Sequence, residues 1–411
     1  MNQYHIRRQK VAETLAPYGC FISISNDLVV KSADAHFPFE VNKNFLYLTG
    51  INQDDSVLLI IKTETTVKEM IFIKDINPDM EKWVGKFIPF EEAKSISGCD
   101  AVLPYSSLQS TLNRLITRTP IQKLYLDHHK NEVNAQELAM DRFLKQHFAQ
   151  PLLPYVFHQH AVHQLRAIKS DEEIKAIKKA IQVTKQAFEH LLKVKHSLKS
   201  EHEIQAHLEF MFKMNQATPG FDTIVAAHQR ATILHYVENN QDIEEDALIL
   251  VDMGSKLNHY SSDITRTFPH QNSFTPLQKK AMQVVLDGME VVFKLCKPGT
   301  PLKALNQALV DFYKVRLVEE GFIQEASEVS KVYYHGVSHF LGLDIHDVGQ
   351  YDETILQEGH VITVEPGLYI ESMNIGIRIE DNVLITKEGY ENLSIDIIKS
   401  VEAIEHFLQG Q

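Results

Sequence analysis

Cysteine is scarce: the 411 residues hold three, Cys20, Cys99 and Cys296, odd in number and far apart. That spacing offers neither a CxxC metal motif nor a disulfide framework, and it fits a reducing compartment. Long apolar runs are missing too. No stretch approaches the roughly 18 uninterrupted apolar residues that a membrane helix needs, and the opening "MNQYHIRRQKVAETLAPYGC" lacks the apolar core of a secretory leader. The expectation is a cytoplasmic chain with neither export signal nor membrane span. Positive charge is also short: 41 Lys and Arg face 54 Asp and Glu, for a formal net charge of -13. Such a field repels phosphate backbones and anionic membrane surfaces, so nucleic acid is not an expected partner. The one evident basic cluster, "HIRRQK" at residues 5–10, reads as the solvated face of a first helix.

What remains has the composition of an ordinary globular enzyme, with 44% hydrophobic and 23% charged residues. The length suggests two or three units. Residues 1–160 alternate β-rich runs such as "SVLLIIK", "MIFIK" and "KLYLD" with polar or helical connections, which predicts a smaller mixed α/β domain. His158, His160 and His163 cluster at its end, but no carboxylate or cysteine set accompanies them, so a polar boundary stretch explains them better than a metal does. Ser170 followed by Glu173 forms a capping box that opens a long helix. From there residues 161–411 use one plan twice: helices at about 171–215 and then the hairpin-like "DALILVDMGSKLNHYSSDITRTFP", followed by helices at about 276–321 and then "HVITVEPGLYIESMNIGIRIEDNVLIT". The predicted class is α+β.

Each hairpin carries two acids inside apolar, β-branched runs. Asp252 and Asp263 are symmetric about a turn at Leu257 and Asn258, and Glu365 and Glu380 about one at Ser372 and Met373. Directly opposed residues have Cβ atoms about 4.5–5.5 Å apart, and two ionised carboxylates at that range repel strongly unless a proton or cation lies between them. A single acid would read as solvent-facing. Four in apolar runs, where a lone buried charge costs several kcal/mol, read as a cation site. Pro366 cannot donate a ladder hydrogen bond and marks a place where its strand opens. Arg378, two residues before Glu380, shares its face and can neutralise the acids or hold a substrate carbonyl. Oxygen donors with one or two imidazoles suit Mn²⁺, Co²⁺, Fe²⁺ or Zn²⁺, and bridging carboxylates suit two ions roughly 3.5–4 Å apart. The imidazoles are supplied by "HGVSHFLGLDIHDVG", residues 335–349.

Together with "ILHY" at 233–236, "VEPGLYI" and "GIRIEDN", these blocks resemble the pita-bread metallopeptidases, and the aminopeptidase P (Xaa-Pro aminopeptidase) group most of all. "SADAHFPFEVNKNFLYLTG" at 32–50 is similar to that group's amino-terminal domain. The resemblance implies a pita-bread catalytic domain with two divalent ions, Mn²⁺ first among Mn²⁺, Co²⁺, Zn²⁺ and Fe²⁺. Asp252 would hold one ion, Asp263 and Glu380 would bridge both, and His339 with Glu365 would complete the other. It further implies that His235, His335 and His346 contact substrate or support the ligands, with a hydrogen-bonded structural histidine as the alternative for each. Arg378 and Tyr369 would lie near the reaction centre. Trp83 would reach a substrate site, across a subunit boundary in a homo-oligomeric dimer or tetramer, with an ordinary core residue as the alternative.

The implied reaction is release of the first residue from a peptide with proline second, with Glu365 carrying the proton. No GxSxG or catalytic cysteine context competes with it. The nearest rival is an Xaa-Pro dipeptidase, which uses the same ligands. A non-catalytic binding protein on this fold would lack ligands, and none is missing here. The connection between "EPGLYI" and "GIRIED" is shorter than in many aminopeptidases P, which bears on substrate length.

Overall fold

A computed structural model describes residues 2–118, 121–128, 135–148, 153–349, 351 and 353–410. The chain forms two compact units, Met1–Arg166 and Ala167–Gln411, which is the expected α+β architecture of a mixed α/β domain followed by a larger one.

In the first unit the three quoted runs become the strands Val57–Lys62, Val67–Ile73 and Lys123–Leu126. They join Gly19–Ile24, Ala101–Pro104 and Tyr155–Phe157 in one six-stranded mixed sheet. All six residues of Gly19–Ile24 are buried, as a strand in the middle of a sheet covered on both faces requires. The basic cluster does lie on a first helix, Gln3–Glu13, but its solvated reading fails for two residues. Arg8 is fully buried, with its guanidinium 2.6 Å from Glu69, and donates to the Leu48 carbonyl; Arg7 donates to that of Tyr47. Helical spacing shows which face a residue lies on, not that an acid 61 positions away will cover it. The three clustered histidines are likewise not a linker. His158 is buried at the end of a strand and hydrogen-bonded to Thr14, while His160 and His163 lie on the helix Gln159–Ala167.

The second unit opens with the helix Asp171–Val194, where both halves of the Ser170–Glu173 capping box are present. Ile177, Ala180, Ile181, Thr184, Ala187, Phe188 and Leu191 bury one face at three- and four-residue spacing. Glu201–Met214 follows, then the sheet Ile224–Ala227, Leu248–Met253 and Ile264–Pro269. The second half repeats this plan with helices Pro276–Phe293 and Leu302–Glu319, and then the strands Val361–Val364, Gly367–Ile370, Ile375–Arg378 and Asp381–Ile385. One hydrophobic core spans both halves, from Ile177 to Leu408. Where the two hairpins meet, fully buried Arg266 pairs with Asp381 at 2.7 Å and donates to the carbonyls of Glu380, Ile397 and Ile398.

Removing Arg8 leaves the Glu69 carboxylate buried without its main cation, a change of about 3–5 kcal/mol for a buried pair. Arg8→Ala should therefore lower the urea midpoint of the first unit strongly, and the double change Arg8→Met with Glu69→Leu should recover most of the loss. An unchanged midpoint in Arg8→Ala would contradict the arrangement.

Candidate metal centre

Asp252 lies in a strand whose six residues are all buried. The turn beyond it sits one residue later than expected, at Asn258 and His259, whose φ values of 50° and 72° give the two-residue hairpin that matches strand twist. Asp252 therefore pairs with Thr265, and Asp263 occupies the diagonal position rather than the opposed one. The parity is unchanged, so both acids still share a face. Gly254 lets the strands close up here: a Cβ at this position would lie 2.1 Å from the Ser262 carbonyl oxygen.

The second hairpin follows the expected register. Ile370 pairs with Ile375 and Val361 with Leu384, which sets Glu365 opposite Glu380. The ladder is interrupted at that level, on either side of Pro366. The freed backbone is satisfied elsewhere, since Glu365 N–H donates to Val337 O and Glu380 N–H to Thr265 O. The four-residue connection is a tight turn, Glu371–Asn374, closed by Asn374 at φ 51°.

His339 reaches the acids from its loop. Its N–H donates to Thr363 Oγ1, and its Nδ1–H to Phe340 O at 2.9 Å. That orients the ring and sets Nε2 facing Asp263 Oδ2 at 3.4 Å, Glu365 Oε1 at 3.5 Å and Glu380 Oε1 at 3.9 Å. The His346 ring lies 4.2 Å from that of His339. The loop is anchored by a buried ion pair, Lys169 Nζ to Asp347 Oδ2 at 2.8 Å.

Arg378 Nη2 donates to Asp252 Oδ2 at 2.6 Å, its Nε to Thr265 Oγ1 and its Nη1 to the Tyr369 hydroxyl. Tyr369 in turn donates to His335 Nε2 at 2.8 Å, because His335 Nδ1–H is given to Gly336 O. Thr265 also donates to Glu380 Oε2 at 2.7 Å. One cavity of about 280 Å³ is lined by Asp252, Asp263, His339, Glu365 and Glu380. His235, His335, His346 and Arg378 complete its polar wall.

The site is short of positive charge. Burial, and then the neighbouring acids, push Glu380 well above the usual carboxylate range. Burial also raises Asp263 and Glu365, against the opposing pull of His339. Burial alone would lower His339, but its hydrogen bond to Asp263 and the charge of Glu365 carry it up to about 9. These four groups all hold protons more tightly than in water. Asp252 Oδ1 is buried with no hydrogen-bond partner among the described residues. A set of carboxylates with one correctly oriented imidazole, proton-hungry and with an orphaned acceptor, fits divalent cations. His335 and His346 go the other way: burial first, then the charge of Arg378 or His339, lowers each to about 4, so both are neutral near pH 7.

Nine of the eleven residues singled out in the sequence thus line one cavity, and Tyr369 stands directly behind it. Trp83 does not share that position. It lies in the first unit on the helix Pro78–Val84 and is 87% exposed, which removes its reading as a core residue. Sequence reasoning missed Thr265, Thr363 and Asn382, whose amide brackets the Asp263 backbone. Thr265 was within reach of it, since it lies two residues after Asp263 and so on the same face.

The chain matches the model of metallopeptidase family M24 over residues 175–387 and that of the aminopeptidase P N-terminal domain over residues 4–125. An Xaa-Pro aminopeptidase of Escherichia coli K12 is 30% identical, covering 98% of this chain and 96% of that protein. A solved structure from Bacillus anthracis is 38% identical with a TM-score of 0.94, covering 100% of this chain and 99% of its own. Aminopeptidase P from E. coli with the inhibitor Pro-Leu superimposes with a TM-score of 0.90 at 30% identity, over 99% of this chain and 98% of that one.

Because the raised groups hold protons that a cation must displace, divalent-ion binding should release protons, and Mn²⁺ affinity should fall as pH drops from 8 to 5. Calorimetry in buffers of different ionisation enthalpy measures both. Uptake without proton release at pH 6 would contradict the electrostatic account.

Proposed function

The chain belongs to metallopeptidase family M24, and we propose that it is an Xaa-Pro aminopeptidase, which releases the first residue of a peptide whose second residue is proline. The observation that carries this reading is the convergence of four carboxylates and the Nε2 of His339 on one cavity, in a chain similar along its whole length to Xaa-Pro aminopeptidases. Asp252 would hold one divalent ion, Asp263 and Glu380 would bridge two, and His339 with Glu365 would complete the second. When bound, two such ions would lower the pKa of the attacking water and polarise the scissile carbonyl. We take Mn²⁺ as the ion, the cytoplasm as the compartment and a dimer or tetramer as the assembly. Residues 1–160 form the amino-terminal domain in this reading, and 161–411 carry the chemistry.

The side chains divide the work. Glu365 takes the proton of the attacking water and returns it to the prolyl nitrogen as the C–N bond breaks. The products are a free amino acid and a peptide that begins with proline. His346, neutral and beside His339, donates to the oxygen that gains charge on the scissile carbonyl. Arg378 holds Asp252 in place, and Tyr369 orients His335 on the cavity wall. His235 and His335 bound the space for the prolyl ring. Trp83, exposed on its helix, reaches a substrate site across a subunit boundary of the assembly, so Trp83→Ala should raise KM more than it lowers kcat.

Purified protein with Mn²⁺ should release the first residue from an Xaa-Pro-Yaa tripeptide, and Glu365→Gln should lower kcat by about 10²- to 10⁴-fold. Full activity in Glu365→Gln would remove its assigned role. An Xaa-Pro dipeptide should be a poorer substrate than the tripeptide; cleavage of the dipeptide alone would make the protein a dipeptidase.

A further inference from the structure

We propose that His228, Glu244 and Asp246 form a further divalent-cation site, for an ion of the Zn²⁺ class, separate from the carboxylate cavity. The three donor atoms lie within 4.8 Å of one another. His228 is only 9% exposed, and its Nε2 is enclosed with no hydrogen-bond partner among the described residues. That nitrogen points at two carboxylates, 3.1 Å from Glu244 Oε2 and 3.6 Å from Asp246 Oδ1. An ordinary His–carboxylate pair would place a ring N–H in line with an oxygen, and here the hydrogen-bond geometry is not met. The two separations bracket the edge of roughly 3.4 Å of a tetrahedron whose ligands stand about 2.0–2.1 Å from the ion.

The backbone holds this arrangement before any ion arrives. His228 follows directly on the strand Ile224–Ala227 and has a left-handed φ of 52°, uncommon for a residue with a side chain. Ala227 N–H is held by Glu201 Oε1 at 3.0 Å. On the other segment, Ala247 N–H donates to Glu244 O, His270 N–H to Ala247 O, and Gln278 Nε2 to Asp246 O. Ordering is therefore confined to the side chains of Glu244 and Asp246, which are 73% and 77% exposed and leave room for water as a fourth ligand. Among the described residues, His228 is the only ion-pair partner of either acid; the nearby Arg230 is engaged by Glu201. One imidazole and two carboxylates suit Zn²⁺ and its neighbours.

The site lies at the far end of the strand pair from the acid cavity. Ile224 pairs with Asp252, whereas His228 comes four residues later, a rise of about 13 Å along the strand. It can therefore bind an ion independently of the metallopeptidase reading.

Equilibrium dialysis of the full chain against micromolar Zn²⁺, with bound metal counted by mass spectrometry, tests this. Wild type should retain one equivalent more than His228→Ala, and Asp246→Asn, an exposed change that does not threaten folding, should lose the same equivalent. The increment should persist in Glu380→Gln, which alters only the cavity, and peptide cleavage with Mn²⁺ should be unchanged in Asp246→Asn. Equal zinc content in wild type and Asp246→Asn would overturn the proposal, whatever the state of the cavity.

Discussion

Four acidic side chains share a cavity of about 280 Å³ with one arginine that reaches only one of them directly. That excess of buried negative charge is the constraint on which the second unit depends. Isolated buried carboxylates are neutralised or paired, because each unpaired charge costs several kcal/mol to desolvate. Here the imbalance is held in place by structure that would be pointless without cations to relieve it. Gly254 allows two strands to approach, the interrupted ladder at Pro366 turns two acids to the same space, and Thr265 and Asn382 fix individual atoms. The Arg266–Asp381 pair locks one hairpin to the other directly behind the acids.

The histidines divide by environment rather than by spacing. His339 gives its Nδ1 proton to a backbone carbonyl and turns Nε2 to three acids, so its charge state is bound to theirs. His335 and His346 are lowered first by burial and then by the charge of Arg378 or His339, and stay neutral near pH 7, so neither adds positive charge to a site that binds cations. Three identical side chains in fifteen residues thus sit in two different environments, and the proposed function gives the first a ligand's role and the others supporting ones.

Much of this was legible in the sequence, unevenly. The second hairpin could be registered because Glu365 and Glu380 are symmetric about a short turn with no bulge between them. The first was misplaced by one residue, since apolar alternation fixes which face a residue occupies but not where the turn falls; Asn258 with His259 accepts left-handed φ and decided it. Parity survived the slip, and so did the identity of the acids. The basic run at residues 5–10 was misread because the partner of Arg8 comes from a strand far along the chain. Site roles for Tyr369 and Trp83 came from family resemblance, which put both near substrate; the structure sets the first behind the cavity wall and the second on an exposed helix.

Diffraction from crystals grown with Mn²⁺, collected at the manganese absorption edge, tests the central claim most directly. Two anomalous peaks roughly 3.5–4 Å apart, both in contact with Asp263 and Glu380 and one also with His339, are the predicted result. Saturating Mn²⁺ with no peak among those carboxylates would contradict it.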